Sequence, residues 1–163
     1  MRSAEMKDGR VFVLRLEEGE SLHGTIESFC AAEGIRYATV TAVGGAGPGS
    51  RYVCGPEMPL GDTIDPITRT SDGYCELTGT GNVFPDEDGN PILHMHGSLG
   101  RDGSSSTGCF RAGIVAWLVM EVVIRELVGE GPVRKNSDPR IDSKLLEIEH
   151  GNRGDPPQDA EER

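Results

Sequence analysis

The sequence predicts one strand-rich domain with a single principal helix. Three observations carry this. The chain has 163 residues, enough for one domain with a full hydrophobic core. Its 23 glycines and 10 prolines call for many turns. A stretch near the N-terminus carries a helical apolar stripe with a cap at each end, whereas most other apolar segments are short and β-prone.

In chain order, residues 10–16 (RVFVLRL) alternate loosely and predict a first strand, and 17–20 a turn. Ser21 is placed to cap a helix with apolar positions Leu22, Ile26, Phe29 and Cys30, and Gly34 to end it. His23, in the first turn of that helix, is expected to be exposed. Residues 35–43 (IRYATVTAV) predict a second strand. The glycine-rich stretch 44–49 then leads into another strand, 51–54. Phosphate-binding loops lead directly into a helix, so this stretch reads as a tight connection or close backbone packing. Residues 64–70 suit an edge strand, where Pro66 is tolerated. Residues 74–83 (YCELTGTGNV) predict a strand whose Gly79 and Gly81 mark a close approach, and 86–90 a hairpin turn. Residues 114–127 (IVAWLVMEVVIREL) are dense in β-branched side chains and favour a long strand, though the length also allows a helix. Glu121 and Arg125 on it would share a face as solvated or paired structural charges. Residues 129–140 read as polar loop and 145–148 as a short last element. The single domain is expected over 1–150, with a disordered polar tail over 151–163.

The chemistry concentrates in residues 92–111, ILHMHGSLGRDGSSSTGCFR. Asp102-Gly103 is a preferred pair for a two-residue hairpin turn, whose central positions need φ > 0. With the turn there, facing residues have numbers summing to 205. His96 then faces Cys109, and His94 faces Arg111. Opposed residues share a face, as do i and i+2 along a strand. All four side chains therefore fall on one face. Two imidazoles and a thiol are a three-ligand metal set, and zinc suits N and S donors. The competing reading is a metal-free polar patch.

Lys+Arg number 16 and Asp+Glu 27, a net charge of −11. That balance disfavours direct contact of this chain with nucleic acid, because duplex binding is driven by neutralising phosphates. No apolar run reaches membrane-spanning length, and the N-terminus lacks a signal-peptide core. The scattered cysteines (Cys30, Cys54, Cys75, Cys109) read as reduced thiols, so a cytoplasmic location is expected.

Five pieces in this order resemble the PPC domain, named for its presence in plants and prokaryotes. They are VFVLRLEEGESLHGTIESFCAAEGI, VTAVGGAG, LTGTGNV, HMH and TGCFRAGIVAWLVMEVVIREL. The resemblance implies an α+β fold: a mixed, largely antiparallel sheet with one principal helix packed on it. It also implies a homotrimer, and a histidine-rich site near the subunit interface that can hold zinc. His94 and His96 match that site, and Cys109 stands where many members have histidine. Plant relatives add basic AT-hook segments, which this sequence lacks.

Two functions follow as expectations. In one, zinc on His94, His96 and Cys109 keeps an open position toward a pocket. Arg111 would hold a small anionic ligand there, and the glycines Gly44, Gly45, Gly79 and Gly81 would let it approach the backbone. The reaction, if there is one, is not specified, and no general base stands out. In the other, the chain is a non-enzymatic assembly module of a DNA-associated regulator. A metal that merely pins the hairpin is a third option.

Overall fold

The computed structural model describes residues 1–57 and 63–148. The expected tail at 151–163 lies outside them. The elements run β1 (Lys7–Glu17), α1 (Leu22–Glu33), β2 (Ala38–Ala46), β3 (Arg51–Pro56), β4 (Pro66–Thr70), β5 (Cys75–Pro85), β6 (Pro91–Arg101) and β7 (Ser104–Cys109). A 3-10 turn, Phe110–Ala112, leads to β8 (Ala116–Val128), β9 (Pro132–Lys135) and β10 (Leu145–Ile148). Eight strands form one sheet in the order β1-β8-β2-β5-β6-β7-β3-β4, while β9 and β10 make a separate ribbon. Every pairing between these strands is antiparallel, so "mixed" is corrected to antiparallel. β4, the strand with Pro66, lies at the sheet edge, where a missing N–H does no harm.

The helix forms as its caps predict. The Ser21 side chain accepts a hydrogen bond from the Gly24 N–H (3.3 Å), and Gly34 closes the helix at φ 68°. Leu22, Ile26 and Cys30 are fully buried against the sheet, and Phe29 packs edge-on to Phe12. Each large buried apolar side chain of this kind stabilises by roughly 1.5–3 kcal/mol.

The sheet has one covered face and one open face, and period two decides which residue goes where. In β2, Ala38, Val40 and Ala42 point into the core, whereas Thr39, Thr41 and Val43 point out. Register carries the division across the sheet. One outward row runs Val13, Val123, Thr41, Thr80, His96. The next runs Val11, Arg125, Thr39, Asn82, His94. Much of this open face is apolar, with Val13 78% and Val43 49% exposed. Glu121 and Arg125 are exposed on it, as structural charges should be.

The core face closes on Phe110, which is wholly buried. A Cβ added at Gly97 would lie 2.6 Å from its ring, and one at Gly79 3.1 Å. The close approach expected at Gly79 is therefore that of an aromatic ring from the chain itself. At Gly44 and Gly45 the space belongs to β8: added Cβ atoms would meet Val119 O at 2.4 Å and Trp117 O at 2.5 Å. There the β8 register shifts, leaving Leu118 on a bulge at φ 56° with its side chain 58% exposed.

One segment departs from expectation. Residues 129–140, read as loop, contain β9, which pairs with β10. The ribbon is tied to the β5–β6 hairpin by a backbone bridge, Asp86 to Arg134, and by a hydrogen bond from the Arg134 side chain to Asn82 of β5. A 2.8 Å ion pair from Lys144 Nζ to Asp86 Oδ2 adds to the tie.

Candidate metal centre

The β6–β7 hairpin turns at Asp102-Gly103, with φ 48° and 74°, the conformation the pair was expected to adopt. Pairing follows the sum of 205 from Arg101–Ser104 to His96–Cys109. His94 and His96 therefore share a face, and their Nε2 atoms lie 3.1 Å apart. Cys109 lies directly across from His96 and is buried. One ligand atom from each of His94, His96 and Cys109 falls within 4.8 Å of the others. A tetrahedral zinc with bonds of about 2.0–2.3 Å sets its N and S donors roughly 3.3–3.6 Å apart. The donor types suit such an ion, and the widest spacing, 4.8 Å, has to close by about 1 Å for all three to bind it.

Arg111 is the exception to the facing rule. β7 ends at Cys109, and the chain enters the 3-10 turn, so Arg111 never pairs with His94. The cause is Phe110, whose ring turns down into the core and takes the backbone out of the strand. Arg111 is solvent-exposed, yet its charge still reaches His94.

The end of β7 leaves β6 with a bare edge at residues 91–95. The helix covers part of it: Glu27 Oε1 accepts a hydrogen bond from the Leu93 N–H at 2.8 Å. Burial pushes the Glu27 carboxyl up, and this bond partly offsets it. His23 lies one helical turn earlier on the same helix face. It is not the exposed residue expected, because both its ring nitrogens are buried without a partner. Burial, with the His94 charge added, lowers its pKa to about 4. Its polar place in the first helical turn resembled a surface position, since nothing local records which side a strand edge will occupy.

His94 is also brought to about 4, first by burial, then by Arg134, His96 and Arg111. It is therefore neutral at pH 7, the state in which imidazole binds metal without displacing a proton. Arg134, given no part in the site by the sequence, sits on β9 and is 3% exposed. Its Nη2 donates to Asn82 Oδ1 at 2.5 Å, and Asn82 pairs across the sheet with His94. Burial lowers the Arg134 pKa and the nearby Cys109 raises it. No spacing or motif marks Arg134, because its place depends on the ribbon folding back over the sheet.

Around His96 the open face dips into a groove of about 360 Å³, bordered by Thr41, Val43, Thr78, Gly79, Thr80 and Ser98. Larger hollows of about 670 Å³ and 380 Å³ lie elsewhere, beside the Asp86 turn and beside Arg101, away from the three ligands.

These features define a class: an antiparallel sheet protein with one helix and a His/His/Cys cluster that could hold a metal. The profile of the Plants and Prokaryotes Conserved (PCC) domain matches residues 3–128, and the chain belongs to that family. Among solved structures, it is similar to a plant- and prokaryote-conserved (PPC) protein of Pyrococcus horikoshii. Identity is 27%, the TM-score is 0.76, and the match covers 93% of this chain and 99% of that one. A protein of Archaeoglobus fulgidus, described as metal-containing, is also 27% identical, with a TM-score of 0.75 and coverage of 91% and 100%. A Ralstonia eutropha protein, described as a candidate DNA-binding protein, shares the fold. It has 22% identity, a TM-score of 0.62 and coverage of 84% and 90%. Among curated proteins there is no match. No described helix is long and apolar enough to cross a membrane.

Proposed function

We infer that this is a trimeric zinc protein that binds a small anionic ligand at an open coordination position. The reading is carried by the convergence of His94, His96 and Cys109 within 4.8 Å. Three protein ligands leave one of four tetrahedral positions free, as in zinc sites that bind or transform ligands. When bound, zinc would supply a Lewis acid. The protein's own part is to hold two imidazoles and a thiol on one hairpin, with Arg111 nearby as an exposed surface cation and Gly79 in the adjoining groove. Purified protein is expected to hold about one zinc per chain. Metal analysis should show that content falling sharply in His96→Ala and in Cys109→Ala. Unchanged zinc in both variants would overturn the site.

The trimer is supported by the open face. An apolar face of this kind, with Val13, Val43 and Leu118 all exposed in one chain, marks an association surface. Sedimentation equilibrium should give three times the 17.5 kDa chain mass. A single-chain mass at micromolar concentration would rule the trimer out.

A second reading rests on the Ralstonia relative: a non-enzymatic assembly module of a DNA-associated regulator. The net charge of −11 argues that a partner chain, not this one, would supply the DNA contacts. The one adjacent basic pair, Arg134-Lys135, contributes a buried arginine.

A further inference from the structure

We propose that Arg134 is the anion anchor of this site and that the ligand it selects is a small carboxylate. The proposal rests on the metal reading above and names its ligand class. The carboxylate would fill the open coordination position and meet the guanidinium of Arg134, with the rest of the molecule lying along the groove past His96.

The argument begins with a charge that lacks a counterpart. A buried guanidinium is costly unless it is paired and its N–H groups are satisfied. Arg134 is 97% buried (3% exposed), and among the described residues no carboxylate forms an ion pair with it. One N–H bonds the neutral amide of Asn82 and the guanidinium lies over the Phe84 ring, but among the described residues the buried Nε has no hydrogen-bond partner. Structural arginines elsewhere in the chain are treated differently. Arg10 engages Glu126 at 2.7 Å and Arg140 engages Asp138 at 2.6 Å.

Its location supplies the second part. Asn82 faces His94 across the β5–β6 pair, so the guanidinium lies over the row that holds the first metal ligand. The acidic group whose charge acts on it is Cys109, the third ligand. A +2 ion, a thiolate and Arg134 together leave a charge of +2 that the protein does not neutralise. Such a site attracts an anion. The guanidinium fork matches the two oxygens of a planar carboxylate. The adjoining row, Thr80 with His96, opens into the groove edged by the hydroxyls of Thr41, Thr78 and Ser98. Its volume of about 360 Å³ suits a small molecule.

The test uses the full chain loaded with cobalt(II) in place of zinc, read by visible absorption. Acetate, a minimal carboxylate, is titrated into wild type, Arg134→Gln and Arg134→Lys. Circular dichroism and cobalt stoichiometry check that each variant folds and loads. Wild type should give a saturable spectral change. Arg134→Gln should weaken it about 10- to 100-fold, the range expected for a lost hydrogen bond to a charged group. Arg134→Lys, which keeps the charge without the fork, should fall between, and it carries the test if the Gln variant does not fold. A cobalt spectrum that acetate leaves unchanged would overturn the proposal while leaving the metal site intact. So would equal acetate affinity in wild type and variants, or phosphate binding tighter than acetate. Failure to bind cobalt at all would overturn the metal reading, and this inference with it.

Discussion

Phe110→Ala is expected to destabilise the protein by about 3–5 kcal/mol, the range for emptying a well-packed aromatic site. Phe110 is completely buried, and the sheet is shaped around it. Gly79 and Gly97 lie under its ring: an added Cβ would collide with it at Gly97 and be tightly placed at Gly79. The loss should reach the metal centre, because Phe110 follows Cys109 and takes the chain out of β7 at that point. Without the ring, Cys109 keeps its backbone pairing with His96 and Val53 but loses the packing that fixes the chain just after it. Urea unfolding at fixed protein concentration measures the first effect, and zinc affinity the second. Gly97→Ala tests the same packing from the other side and should cost about 1–3 kcal/mol or more. Its Cβ would lie 2.3 Å from Thr78 O, a backbone atom that cannot swing away. A loss below about 1 kcal/mol in Phe110→Ala would show that the core refills, against the close-packed behaviour of protein interiors.

The second large effect is expected at Asp86, and it depends on pH. Burial alone would raise this carboxyl. Lys144 at 2.8 Å and hydrogen bonds from Asn90 and Asp88 outweigh burial and hold it at about 2. The unfolded value is about 3.9. A folded pKa below the unfolded one means stability that is fully present above about pH 4. That stability is lost as pH falls through about 2. A shift of this size corresponds to about 2–3 kcal/mol. Asp86→Asn should therefore be less stable than wild type by roughly that amount at pH 7. The gap should close as the pH approaches 2. Urea midpoints measured at pH 7, 4 and 2.5 would show it, and a gap that stays constant with pH would contradict the assignment. The change should also loosen the site, since the Asp86–Lys144 pair and the Asp86–Arg134 bridge hold the β9–β10 ribbon over His94.

Much of the candidate metal centre was legible in the sequence, because the rules involved are local. A turn needing φ > 0 at two positions selects Asp102-Gly103, and a side-chain period of two then assigns faces. His94, His96 and Cys109 follow by counting. The same locality explains the helix between Ser21 and Gly34. The count failed at Arg111, where one buried ring ended the strand two residues before the facing rule would have reached it. Gly79 signalled a close approach, but not that Phe110 was the approaching group.

What lay beyond such counting depends on contacts between distant parts of the chain. The ring nitrogens of His23 are buried where β7 stops short and the helix closes on the free edge of β6. Arg134 reaches Asn82 across 52 residues, and Lys144 reaches Asp86 across 58. No local propensity encodes those pairings: a Pro-Val-Arg-Lys segment reads as polar loop whether it faces water or folds over a sheet. Hairpin geometry is set by the few residues within it, so the cluster of His94, His96 and Cys109 could be read from the chain. The cation over them is set by where a separate ribbon docks, and the balance of burial, hydrogen bonding and charge that docks it exists only in the folded molecule.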